Sequence, residues 1–127
     1  MTTQLDHLIL AVNNLDASLA FYTGMLGLAH DGEDGPFTVV RVTPDFVLLV
    51  APWGTEGGQH LAFSMSKSEF ADAFQRIKDA GLPYGDDPHE PDNMHDPGQE
   101  TGAHGMGVTL YVNDPSNHLI EIRHYDG

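Results

Sequence analysis

The sequence predicts an α+β fold built from two successive βαβββ modules. Three observations carry this. Strand-length apolar runs and two amphipathic stretches follow the order strand, helix, three strands, and then repeat it. The halves also match in register: His7-Leu8 recurs as His60-Leu61 and Phe21 as Phe74, 53 residues on, and Gly27-Leu28 recurs as Gly81-Leu82, 54 residues on. Finally, 127 residues suit a single domain, 1–127, with module 1 at about 5–50 and module 2 at about 58–125.

Leu5–Val12 is an apolar run closed by Asn13-Asn14 and reads as a buried strand. Asn14 can cap a helix in which Leu15, Leu19, Tyr22 and Leu26 share a face, with Gly27 as its stop. Leu28–Glu33 reads as a strand, Asp34-Gly35-Pro36 as a turn, and Phe37–Thr43 and Phe46–Val50 as two more strands. Pro52–Gly57 is a loop carrying the single tryptophan, Trp53, which with Phe46 suits either a groove wall or the core. In the second half, Gly58–Met65 is a strand, and Ser66 and Glu69 have the spacing of a capping box. Phe70, Phe74 and Ile77 give the following helix its core face, and Gly81 ends it. Leu82–Tyr84 suits a short strand. Gly85–Gly105 is expected as a long loop, functional or mobile. Gly107–Val112 and His118–Tyr125 then form a hairpin around 113–117.

Composition narrows the function. Nineteen acids against five bases give a net charge of −14, and the bases are Arg41, Lys67, Arg76, Lys78 and Arg123. No basic groove for nucleic acid and no polybasic membrane patch can be assembled from these. The absence of cysteine excludes disulfides, thiol nucleophiles and zinc–thiolate sites. No apolar run approaches the ~20 residues of a membrane helix. Met1–Leu10 has neither a basic n-region nor an h-region, so the expected compartment is the cytoplasm. Eight histidines are the natural candidates for chemistry.

The repeat singles out two of them, because His7 and His60 each lie on the first strand of a module. Strand alternation puts His60 on a small-residue face with Gly58, Ala62 and Ser64, and puts Leu61, Phe63 and Met65 on the core side. On the last strand Glu121 is flanked by Ile120 and Ile122 and shares its face with Arg123. Aligning 45–50 with 117–122 sets Leu49 at the position of Glu121, so only the second module supplies an acid. Two histidines and one carboxylate form a facial triad that leaves coordination positions open. Arg123 is placed to pair with an acid or to meet an anionic substrate. His118 and His124, on the face opposite Glu121, are expected to be structural or solvent-facing.

The chain resembles the vicinal oxygen chelate superfamily, which includes glyoxalases, bleomycin-resistance proteins, extradiol dioxygenases and fosfomycin-resistance enzymes. The resemblance rests on Leu5-Asp6-His7-Leu8-Ile9-Leu10-Ala11-Val12, Phe21-Tyr22-x-x-x-Leu26-Gly27-Leu28, Gly58-Gln59-His60-Leu61-Ala62-Phe63, Ala80-Gly81-Leu82-Pro83-Tyr84 and the segment from Tyr111 to Ile122. It implies paired modules forming a curved mixed sheet around a metal-binding groove, with His7, His60 and Glu121 as ligands. It also implies a small-molecule substrate, no nucleic-acid or membrane partner, and a homodimer, in which His7 of one copy can serve the site of the other. Fe²⁺ or Mn²⁺ suits this ligand set best, with Zn²⁺, Ni²⁺ and Co²⁺ as alternatives.

Among the family's chemistries, an extradiol (catechol-type) ring-cleavage dioxygenase fits best, because Tyr111 precedes the glutamate in the same way. There the tyrosine hydrogen-bonds a bound phenolate, and His104 or His95 of the long loop is the candidate acid or base. A glyoxalase-like lyase fits less well, since Leu49 stands where that design has a fourth ligand, while an epimerase or isomerase stays open as an alternative. A fosfomycin-type transferase has only Arg41 and Arg123 as partners for a phosphonate, and a drug-binding protein like the bleomycin-resistance members has only the acidic surface in its favour. Both histidines must be neutral to bind a metal, so occupancy is expected to fall at acid pH.

Overall fold

The computed structural model describes residues 2–126. The chain divides into two compact units, Met1–Gly57 and Gly58–Gly127.

The first unit contains β1 (His7–Ala11), α1 (Leu15–Leu19), β2 (Ala29–Asp34), β3 (Phe37–Thr43) and β4 (Phe46–Ala51). Its sheet has the order β1-β4-β3-β2, with β1 parallel to β4 and the remaining pairs antiparallel. Strand alternation divides the residues of β4: Leu48 and Val50 are buried, while Val47 and Leu49 are half-buried on the other face. Asn14 caps α1, its side-chain oxygen accepting from the Ala17 amide at 2.9 Å.

The helix does not keep its expected phase. After Leu19 it widens into a π-helical stretch, Ala20–Met25. Bonds to the fifth residue back, Leu26 to Phe21 at 3.1 Å among them, shift the buried stripe. Ser18, Phe21, Tyr22 and Leu26 are buried, whereas Leu15 and Leu19 are only half-buried. Gly27, at φ 80°, then turns the chain out of the helix. Trp53 is not in the core: it is 61% exposed and meets Phe37 edge-on, with ring centres 5.5 Å apart.

The second unit repeats this order with β5 (His60–Ser64), α2 (Lys67–Asp79), β6 (Gly98–Gly102), β7 (Gly105–Asn113) and β8 (Leu119–His124). Its sheet runs β5-β8-β7-β6, again with one parallel pair, β5 and β8. The capping box of α2 is complete: Glu69 N donates to Ser66 Oγ at 3.1 Å, and Ser66 N donates to Glu69 Oε1 at 2.9 Å. Phe70, Ala73 and Ile77 are buried, and α2 packs on β8, where Phe70 meets the His124 ring at 4.9 Å. Ile120 and Ile122 are fully buried, leaving Glu121 and Arg123 to the opposite face.

Two sequence expectations are corrected here. Leu82–Tyr84 is not a strand: Pro83 has no amide to donate, and the Leu82 amide closes the helix end on Ile77. Nor is 85–105 structureless. Gly85 bridges to Tyr111, and β6 pairs with β7 across five residue pairs. The strand Gly98–Gly102 has little intrinsic strand preference, so only its partner β7 makes it one. No helix among the described residues is long and apolar enough to cross a membrane.

Ile77→Ala should cost about 2–5 kcal/mol by opening a cavity under α2, and Ser66→Ala about 1 kcal/mol by removing the cap. Urea unfolding checks both; a Ser66→Ala loss as large as that of Ile77→Ala would contradict this division between cap and core.

Candidate metal centre

In the second unit three adjacent strands bring the expected residues to one face. β5 pairs Ala62 with Glu121 of β8, and Glu121 pairs in turn with Tyr111 of β7. His60 lies two residues before Ala62 and therefore on the same side of the sheet. His60 Nε2 is 3.0 Å from Glu121 Oε1. The Tyr111 ring stands edge-on to His60, with centres 6.1 Å apart.

Above this face is an open cavity of about 390 Å³, lined by His60, Ala62, Ser64, Glu121 and Arg123, by Thr101 and Gly102 at the end of β6 with Ala103 of the β6–β7 turn, and by Tyr125. Ala62 and Ser64 thus form the small-residue floor that strand alternation predicts. Tyr111 is buried and lies outside this lining. Burial first, and then the charges of Glu121 and Glu100, push its hydroxyl up to about 12.

Glu121 is not a solvent-facing acid, being only 5% exposed. Its Oε2 accepts from Arg123 Nη1 at 2.6 Å. Arg123 is therefore paired with an acid, one of the two roles its position suggests. Its remaining Nη contacts are to the main-chain oxygens of Glu100 at 3.0 Å, Thr101 at 3.4 Å and Gly105 at 3.5 Å. Of the histidines opposite Glu121, both are buried: His124 packs on Phe70, and His118 Nδ1 accepts from the Gln59 amide at 3.2 Å.

The donor pair fits a divalent cation. Two bonds of about 2.1 Å at right angles place their donor atoms about 3.0 Å apart, which is the separation of His60 Nε2 and Glu121 Oε1. His7 belongs to the first unit. There its Nδ1 is 2.7 Å from Asp6 Oδ2, an arrangement that orients the ring and leaves Nε2 as the donor for a metal. Within neither unit, among the described residues, do three or more His, Asp or Glu side chains gather into a metal-holding cluster.

Strand register settles the alignment of the modules. His7 pairs with Val47 and Ile9 with Leu49, as His60 pairs with Leu119 and Ala62 with Glu121. Leu49 therefore occupies the place of Glu121, and Val39, opposite Leu49, that of Tyr111. The first module thus offers an exposed histidine paired with the adjacent Asp6, with leucine and valine at the positions where the second module has Glu121 and Tyr111.

His104 sits in the β6–β7 turn, exposed, edge-on to Tyr125 at 5.3 Å. It follows Ala103 of the cavity wall in sequence and does not itself line the cavity. His95 pairs with Asp86 at 3.5 Å and also lies outside the lining. Sequence reasoning missed the β6–β7 turn as part of the cavity wall. Its available signal was Gly102, Gly105 and Gly107, three glycines at alternate or near-alternate positions before a strand.

The glyoxalase/bleomycin resistance protein/dioxygenase superfamily model matches residues 4–122. Among curated relatives, the biphenyl-2,3-diol 1,2-dioxygenase 3 of Rhodococcus globerulus is 25% identical over 136 residues, covering 97% of this chain and 64% of that protein. A glyoxalase domain-containing protein, RDO1, of Mycosarcoma maydis is 26% identical over 133 residues, covering 95% and 68%. The chain thus spans about two thirds of the length of these relatives. Among solved structures, oxidase ChaP-H1 is 32% identical with a TM-score of 0.83 and 98% coverage of both chains. Fosfomycin resistance protein FosX from Mesorhizobium loti shares the fold, with a TM-score of 0.69 at 16% identity. With a model match across nearly its whole length, this chain belongs to the glyoxalase/bleomycin resistance protein/dioxygenase superfamily.

Proposed function

We propose that the chain is a divalent-metal-dependent enzyme that uses O₂ to cleave the ring of a catechol-type substrate beside its two hydroxyls. The observation that carries this reading is the His60–Glu121 donor pair, spaced for a divalent ion and facing an open cavity. In this reading His7 completes the ligand set, from the same chain or from a second copy in a cytoplasmic homodimer. Fe²⁺ or Mn²⁺ would supply Lewis acidity and a means of engaging O₂. The reaction balances without a further reductant: the ring C–C bond breaks, and both atoms of O₂ enter the product. An oxidase and a diol dioxygenase among the relatives support this choice.

The chain's own residues have distinct tasks. His60 and Glu121 orient the site, and Ala62 and Ser64 leave room for a flat ring. Tyr111 stays protonated at any physiological pH and serves as a hydrogen-bond donor beside Glu121, not as a base. His104, exposed and next in sequence to Ala103 of the cavity wall, is assigned to pass a proton to or from solvent. A phosphonate-processing reading finds less support, because Arg123, the one cation among the lining residues, is already held by Glu121 and three carbonyls.

Protein loaded with Fe²⁺ or Mn²⁺ should retain metal through gel filtration, and Glu121→Ala should bind it at least tenfold more weakly. Equal retention by both proteins sinks the metal assignment. An oxygen electrode with a panel of catechols tests the reaction: no uptake by the loaded wild type removes the dioxygenase subtype.

Tyr111→Phe should lower turnover about 10- to 100-fold, the range for a lost hydrogen bond to a charged group, at unchanged metal content. Because folding raises this hydroxyl from 10.0 to about 12, its contribution to stability is intact below pH 10 and is lost as pH rises through 12. Ultraviolet titration of tyrosinate should show a late transition in wild type that Tyr111→Phe lacks; identical curves would contradict the burial argument.

A further inference from the structure

The Arg123 guanidinium touches two things that have no other obvious reason to be connected. Nη1 holds Oε2 of Glu121 at 2.6 Å, while Oε1 of the same carboxylate faces His60. Both Nη groups also reach main-chain oxygens of Glu100, Thr101 and Gly105, which belong to the β6–β7 hairpin. Thr101, Gly102 and Ala103 of that hairpin wall the cavity. The guanidinium fits only because the strand beside it is bare: a Cβ on Gly102 would lie 2.5 Å from Arg123 Cζ and 2.6 Å from Nη2.

We infer that Arg123 is a positioning residue that restricts Glu121 to one donor oxygen and couples the order of the β6–β7 hairpin to occupation of the metal site. The inference rests on the metal-centre reading above. A carboxylate that binds through both oxygens must share Oε2 between the metal and the guanidinium and so weaken the pair of a buried cation, which disfavours that mode. A metal held by His60 and Glu121 would then meet one carboxylate oxygen and not two, which would leave one more coordination position open to substrate or O₂. The same atoms carry the coupling, since any pull on Glu121 is transmitted through Nη1 to the carbonyls that hold the hairpin closed.

Co²⁺ is a suitable probe, because its visible absorption reports the number and kind of its ligands. Co²⁺ titration and amide hydrogen exchange, with and without Co²⁺, would be run on wild type, Arg123→Lys and Gly102→Ala. The glycine variant leaves both charges in place and displaces the guanidinium together with the Tyr125 hydroxyl, which the new Cβ would also meet at 2.5 Å. Circular dichroism checks folding, and if Arg123→Lys does not fold, the exposed-site variant Gly102→Ala decides alone. Both variants are expected to bind Co²⁺ about 10- to 100-fold more weakly, to show a shifted visible band, and to lose the protection that Co²⁺ confers on β6–β7 amides in wild type. Wild-type affinity, spectrum and exchange in the variants overturn the inference while leaving the metal centre standing. No Co²⁺ binding by wild type overturns the metal-centre reading and this inference with it.

Discussion

The buried ion pair between Arg123 and Glu121 is the constraint around which the second unit is organised. Both side chains are about 5% exposed, on a strand whose other face is filled by Ile120 and Ile122. Taking two charges out of water is costly unless nearly every donor and acceptor finds a partner. The solution here uses main chain. Three carbonyls of the β6–β7 hairpin accept from the guanidinium, and His60 takes the remaining carboxylate oxygen. Gly102 and Gly107 follow from it, since a Cβ at either position would lie within 3 Å of the guanidinium. The strand β6, which pairs with β7, therefore also lends two of its carbonyls to a buried arginine.

The two modules show how one topology can be divided between tasks. Register places Leu49 and Val39 where the second module has Glu121 and Tyr111. The first module keeps its histidine, exposed and paired with Asp6, and has no acid at the position of Glu121. The second concentrates charge, a cavity and a tyrosine that is hard to ionise.

Much of this was legible in the chain. Asn14, Ser66 and Glu69 announce their helices because caps are local chemistry, satisfied by amides one to three residues away. His60 could be placed on a small-residue face from alternation alone. The π-helical widening after Leu19 could not be read, since a one-residue shift in helical phase leaves composition unchanged. Nor could β6, because Gly98–Gly102 carries no pattern of its own. Glu121 between two isoleucines looks like an exposed acid; its burial depends on Arg123 and on a hairpin whose carbonyls are more than fifteen residues away in sequence.

By itself, then, the sequence determined the two modules, their caps and turns, the apolar faces, and the identity of the residues capable of chemistry. These are properties of short windows, set by periodicity and by hydrogen bonds between near neighbours. The tertiary structure decided which oxygen of Glu121 meets His60, that Arg123 is occupied, and that Tyr111 is buried beside Glu121. Those outcomes arise from charges removed from water together, and their energies depend on partners that only strand pairing brings within reach.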